Sequence, residues 1–414
     1  MARTVTLRRV VVTGMGLVSC LGNTLDTVAQ ALREGRSGIS QIDEYVVLGL
    51  ASQIAGLPSL VGEAAIERKL ARFMGGTAVY AYHAARKAIA DAQLSSLMLR
   101  SEASGVVIGS GVGALADYQQ AIDIVRDTVP EQGVLRVAPY TVPRAMSSTA
   151  SACVANGFGI RGVSYSPSSA CTTSTNAIGQ AMELIQYGRQ DVVLAGGAEE
   201  LYWGATVMFD AMGALSRGFN SSPKRASRPY DVARDGFVMA AGGGVLVLES
   251  LDHALARGAR IYAELVGYGS CSEGADMVAP TAAGMTRAMQ LALATHDGAI
   301  GYLNTHAPST QRGDIEELIA LREVFGAHIP PFSSTKGLTG HALGACGVHD
   351  AIYSLLMMRD GFIAAGANLD EPDPQLGEMP IVRHSRAASL DVVMSNNFGF
   401  GGTYASLIFQ RYQP

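Results

Sequence analysis

The chain has 414 residues, 48% of them hydrophobic and only 16% charged, with a formal net charge of −5. A charge share well under the usual quarter leaves apolar surface for a large core and for a face covered by another subunit. The acidic balance excludes general attraction to nucleic acid, and the glycine-rich uncharged runs fall short of the ~18 apolar residues of a membrane span. The five cysteines, Cys20, Cys153, Cys171, Cys271 and Cys346, are odd in number, widely spaced and free of any CxxC. They argue against a disulfide framework or zinc site and for a reducing, cytoplasmic setting.

In chain order, the basic-then-apolar opening MARTVTLRRVVVTGMGLVSC contains a β-branched run, Val10 to Thr13, ending at a glycine turn. Without a clear cleavage site it reads as a buried first strand and not as a signal peptide. A strand near Val106 runs into GSGVG, whose GxGxG spacing does not complete a dinucleotide fingerprint. SPSSACTTSTNAIGQAMELIQYG then predicts a short extended segment ending in Ser-Ser and a helix from Thr172 to about Tyr187, closed by Gly188. The strand DVVLAGG follows. The second part of the chain repeats this order. A strand at Ile261 to Gly269 matches the first one, and Tyr302 to Thr310 matches Val106 to Gly113. PFSSTKGLTGHALGACGVHDAIYSLLMMRDG then leads through a helix closed by Gly361 to DVVMSNN. Two copies of one βαβ-rich unit follow, residues 1–255 and 256–414, with no Pro- or Ser-rich linker between them. Alternating strands and helices predict mostly parallel sheets covered by helices.

Ligands of such folds sit beyond the carboxyl ends of strands. Cys171 opens a helix there, where free N–H groups and the helix dipole favour the thiolate. Position alone leaves open both a reactive thiol and an inert core cysteine. His306 in LNTHAPST and His341 in TKGLTGHALGACG stand at strand ends or between glycines, about 35 residues apart in one half. A thiol with two imidazoles suits acyl transfer and the handling of a carboxylate or enolate. Lys336, in SSTKG, is expected to be buried with Glu317 as partner, and Asp314 lies close by in RGDIEEL. The glycines of NNFGFGGTY permit a tight turn that aims N–H groups into a cavity, as an oxyanion hole requires.

From VVVTGMG through REGRSGI, SSAC, FDAMGALS, YDVARDGF, GADMVAP and TKGLTGH to SNNFGFGGT, the whole chain resembles the β-ketoacyl-acyl-carrier-protein synthases, above all the synthase I branch of type II fatty acid synthesis. The resemblance implies an α/β, thiolase-like duplicated fold with mixed sheets in αβαβα layers. It implies decarboxylating condensation of an acyl chain held on Cys171 with malonyl carrier protein, without metal or redox cofactor. His306 and His341 match the catalytic histidines and Lys336 the supporting lysine. The N–H groups of Cys171 and Phe400 match the oxyanion hole. Phe237, Phe398 and Phe400 match pocket aromatics, Thr310 a retained substrate contact, and Val112 and Met146 the place where the acyl pocket reaches a dimer interface. Lys69 and Arg72, with Arg136 joining them, match the docking site of the acidic carrier protein. The implied assembly is a homodimer, or a heterodimer with a chain-length factor. Two stretches depart from the family: Ala307-Pro308 replace Gly-Thr in His-Gly-Thr-Ser-Thr, and Tyr404 replaces asparagine in GFGGTN. They keep a specialised polyene or polyketide synthase open as an alternative. A thiolase is disfavoured because no cysteine follows Cys346, and an inert chain-length factor because Cys171 is present.

Overall fold

The computed structural model describes residues 6–127 and 130–413. Val10–Val18 (VVVTGMGLV), a run of β-branched and small residues, is buried along its whole length and forms strand β1. The remaining strands of the main sheet are β2 (Ser104–Gly109), β3 (Ser164–Tyr165), β4 (Val192–Glu199), β5 (Gly242–Ser250), β6 (Ala263–Ser272), β7 (Tyr302–Asn304), β8 (Phe332–Ser333), β9 (Val392–Gly399) and β10 (Thr403–Gln410).

They make one ten-stranded sheet in the order β8-β7-β9-β10-β6-β1-β5-β4-β2-β3. Read outward from the central β6–β1 contact, each side has the same order, so the repeat seen in the sequence is a repeat of topology. The halves are stitched by a short antiparallel ladder, Val11 opposite Glu264 and Val12 opposite Ala263.

The expectation of mostly parallel pairing is corrected. Pairs toward the edges (β4–β2, β2–β3, β9–β7, β7–β8) are parallel, but those toward the centre (β1–β5, β5–β4, β9–β10, β10–β6) are antiparallel. For one of these pairs the reason is connectivity: β9 returns directly into β10 through the glycine turn Phe400–Gly402, and a strand joined to the next by a tight turn pairs antiparallel.

Six helices build the layers: α1 (Gly76–Asp91), α2 (Thr149–Phe158), α3 (Thr173–Gln186), α4 (Ala282–Leu293), α5 (Gly313–Phe325) and α6 (Cys346–Asp360). α1 packs on β1 and β5, with α2 beside it, while α4 covers β6 and β10, with α5 behind it. Between the two halves, α3 and α6 pack on each other and on strands of both sides, giving the αβαβα order of the thiolase-like fold. α6 is buried continuously from Cys346 to Met358, as a helix apolar all round must be. The close crossing needs Gly347, where a Cβ would come within 2.1 Å of the Thr175 hydroxyl. Gly361, in the left-handed region at φ 67°, ends α6.

Candidate active site

Four carboxyl-end loops converge at the middle of the sheet: the one after β3 carries Cys171, after β7 His306, after β8 Lys336 and His341, and after β9 Phe400. Three of these loops contain a non-glycine residue with positive φ: Ala170 at 50°, Ser309 at 81° and Leu343 at 45°. Such conformations cost of order 1–3 kcal/mol each and persist where surrounding structure holds a site in place.

Cys171 lies in a 3₁₀ turn, Ala170–Thr172, that feeds α3. The turn is tied down by the Thr172 hydroxyl donating to Ser169 O at 2.7 Å and the Thr173 hydroxyl donating to Ala170 O at 2.7 Å. The sulfur keeps part of its surface toward a cavity enclosed by protein. Burial pushes the thiol up to about 12, against the pull of the Lys336 ammonium and of the N–H groups of Phe400 and Cys171 itself. The helix-terminus argument for a resting thiolate is therefore corrected: desolvation outweighs the N–H groups. His341 Nε2 is 3.0 Å from Cys171 Sγ, and its ring meets that of His306 edge-on with centroids 5.1 Å apart. Burial first, and then the Lys336 charge, push both imidazoles well below the usual histidine range. The resting pair is a neutral thiol and a neutral imidazole, ready to exchange one proton. The ligand atoms of Cys171, His306 and His341 lie within 4.8 Å of one another and are the grouping among the described residues that could hold a metal ion.

Two buried carboxylates hold the His306 loop. Glu317 accepts from His306 N at 3.0 Å, Ala307 N at 2.8 Å and Asn396 Nδ2 at 3.2 Å. Burial nevertheless pushes its carboxyl up to about 7. Asp314 accepts from Tyr230 N, Ser309 N and Thr310 N, and burial raises it to about 6. Glu317 is thus occupied with backbone, and the expected Lys336–Glu317 pair is corrected. Lys336 Nζ donates to Asp350 Oδ2 at 2.6 Å, with side chains 1% and 2% exposed. Burial is the largest single influence and works against the ammonium, but the Asp350 charge and hydrogen bond, together with Cys346 and Glu317, outweigh it and its pKa is raised. Asn397 Nδ2 at 2.9 Å and the Thr335 hydroxyl at 3.1 Å complete the Asp350 shell.

A cavity of about 430 Å³ opens over the sulfur. Phe237, Phe398, Phe400, Thr310 and Val112 line it, and so does Pro308. Met146, expected at the far end of the acyl pocket, ends the short helix Thr141–Ala145 and is not part of this wall. Gly399 is where only a glycine fits without displacement: a Cβ would lie 3.0 Å from Cys171 N. Lys69 and Arg72 are exposed, but the helix beneath them is a single turn, Arg68–Ala71, and Arg72 lies over the Phe73 ring. Arg136 is the exposed last residue of the helix Pro130–Arg136.

The sequence profile of the β-ketoacyl synthase N-terminal domain matches residues 7–254, and that of the C-terminal domain residues 262–370. The chain belongs to the β-ketoacyl synthase family. It is 50% identical over 407 residues to 3-oxoacyl-[acyl-carrier-protein] synthase 1 of Haemophilus influenzae, covering 98% of this chain and 100% of that protein. The crystal structure of a β-ketoacyl synthase from Burkholderia phymatum has a TM-score of 0.92 at 38% identity, covering 98% and 100% of the two chains. A type II polyketide ketosynthase in complex with its acyl-carrier protein (AntDE:AntF) has a TM-score of 0.89 at 29% identity, with the same coverage.

Two supports of this β-ketoacyl synthase escaped the sequence reading. Glu199 closes β4 and accepts from the Ser110 hydroxyl at 2.6 Å, Gly111 N at 2.8 Å and Gly344 N at 2.9 Å. It ties GSGVG to the His341 loop, so those glycines serve backbone approach: a Cβ on Gly344 would lie 2.3 Å from Gly111 N. The second is Asp350. Its signal was present, as the single acidic residue in the apolar run Cys346–Met358, since a buried carboxylate demands a partner.

Proposed function

We propose that this chain is a 3-oxoacyl-[acyl-carrier-protein] synthase, joining an acyl group held on Cys171 to malonyl carrier protein. The observation that carries this is the 3.0 Å contact of His341 Nε2 with Cys171 Sγ, with His306 edge-on behind it. In the first half-reaction the thiol proton passes to His341 and on to the departing carrier thiol, while sulfur takes the acyl group. In the second, the malonyl carbon–carboxylate bond breaks and CO₂ leaves. The electron pair moves onto the thioester oxygen, held by the two imidazoles. The carbanion then attacks the acyl carbonyl, whose oxyanion is held by the N–H groups of Cys171 and Phe400. Collapse expels the Cys171 thiolate, which takes up from solvent the one proton the reaction consumes, and loss of CO₂ drives the step. Lys336 serves from behind, through its charge, by keeping both imidazoles neutral.

The 1–255 and 256–414 halves act as one unit, since each contributes part of the site. Identity to 3-oxoacyl-[acyl-carrier-protein] synthase 1, at 50%, exceeds that to the type II polyketide ketosynthase, at 29%, and favours primary fatty acid synthesis. A dimer is supported by exposed apolar side chains on neighbouring helices, among them Tyr118, Ile122, Leu135 and Val142. No helix among the described residues is long and apolar enough to cross a membrane. The deciding experiment is intact-mass analysis after incubation with acyl carrier protein substrate. Acyl mass is expected on Cys171, and Cys171→Ala is expected to abolish both loading and condensation. A Cys171→Ala protein that condenses at near wild-type rate would sink the assignment.

A further inference from the structure

Tyr404 is one of the two departures from the family pattern, and its surroundings show what it does in this chain. It stands on β10, opposite Phe398 of β9 and Cys271 of β6, and is 1% exposed. The ring packs on Phe398 at 5.5 Å between centroids. On its other face is Gly284 in the first turn of α4, where a Cβ would lie 2.4 Å from the ring. Glycine is otherwise disfavoured inside a helix, so Gly284 and Tyr404 form a matched pair in size.

The hydroxyl serves two ends of one segment. It donates to the Glu273 carboxylate and accepts from Thr281 N at 3.2 Å. The other Glu273 oxygen accepts from the Thr281 hydroxyl. Glu273 and Thr281 bound a loop whose residues Val278, Ala279 and Pro280 line the cavity above Cys171. The same loop touches the turn that carries Phe400: Glu273 N donates to Gly402 O at 2.9 Å, and Gly401 N donates to Met277 O at 2.8 Å. Burial and the Glu273 carboxylate push the phenol up to about 12, so it remains a donor throughout the neutral range.

We propose that Tyr404 is a positioning residue, a latch whose hydroxyl clasps both ends of the 273–281 loop and, through that loop, holds the Phe400 turn in place over Cys171. The inference rests on the proposed condensation only for its kinetic consequence. The latch itself is read independently, by amide hydrogen exchange on the full chain. Tyr404→Phe and Glu273→Ala are each expected to speed exchange at Glu273, Thr281 and Gly401 at least tenfold. Glu273→Gln, which can still accept from the phenol and donate to Thr281, leaves exchange near wild type. In the condensation assay, the two breaking variants are expected to lower kcat about tenfold while KM moves less than twofold, because an oxyanion donor acts in the transition state. The double variant should be no worse than either single one, since both remove the same latch. If Tyr404→Phe fails to fold, Glu273→Ala reads the latch from its half-buried end. Unchanged exchange, additive losses, or Glu273→Gln behaving like Glu273→Ala would each overturn the latch. A wild-type protein without condensation would instead overturn the functional reading, leaving exchange to decide the latch.

Discussion

Replacing Asp350 by Asn tests the electrostatic core of the site. The substitution keeps size and one acceptor oxygen but leaves the Lys336 ammonium buried without its counter-charge at 2.6 Å. Breaking one partner of a buried pair costs about 3–5 kcal/mol. The cost has a ceiling, because Lys336 can shed its proton. With an unfolded-state pKa near 10.4, deprotonation at pH 7 costs about 4.6 kcal/mol. The sign in pH then separates the two outcomes. In the wild type the Lys336 pKa is raised, so both states hold the proton up to pH ~10 and the pair adds no slope; its contribution is lost only above that. If Asp350→Asn neutralises the lysine, the unfolded state binds one more proton than the folded one. Its stability should then rise by about 1.4 kcal/mol per pH unit relative to wild type from pH 7 to 9. Urea unfolding of both proteins at pH 7, 8 and 9 reads this directly. Where the lysine is neutralised, the charge that helps keep His306 and His341 neutral is gone, so condensation should fall even where the protein is fully folded. A stability difference under ~1 kcal/mol at pH 7 would refute the reasoning.

Glu317→Gln should hold activity at a low level across pH, because an amide cannot accept from both His306 N and Ala307 N. The wild type should lose kcat/KM as pH falls through about 7, where burial has placed the Glu317 carboxyl. Its folded pKa lies above the unfolded value of about 4.3, so the stability it contributes is full below that value and disappears as pH rises through 7; unfolding of the Gln variant should lack this slope. Gly399→Ala puts a methyl 3.0 Å from Cys171 N, and kcat is expected to fall between tenfold and about a hundredfold as the Phe400 N–H shifts; a change under twofold would remove Phe400 from the oxyanion hole. Lys69→Glu with Arg72→Glu should raise KM for carrier-bound substrate, less so at high salt, with turnover of a small thioester mimic unchanged. Equal losses with both substrates would mean damage to the fold.

Local features were legible along the chain. The order of strands and helices, the glycine that ends α6, the duplication, and the residues that meet in the cavity could be read, because β-branched runs, glycine stops and SSAC or TKGLTGH motifs act over a few neighbouring positions. Other features depend on partners that only folding brings together. Lys336 chose Asp350 over Glu317 because α6 brings that carboxylate to it, while the Glu317 carboxylate is taken by backbone N–H groups of the His306 loop. The connection alone did not fix pairing: β2 and β3, joined through helices, run parallel, yet β4 and β5, also joined through a helix, run antiparallel. The protonation of Cys171 turned on enclosure: a helix terminus in water would favour the thiolate, but here the cavity is walled by protein and desolvation prevails. Tyr404 looked in sequence like a lost asparagine, and only the fold brings Glu273, Thr281 and Gly284 around its ring and hydroxyl. Charge and desolvation are sums over everything packed against a group, and a linear chain does not state that packing.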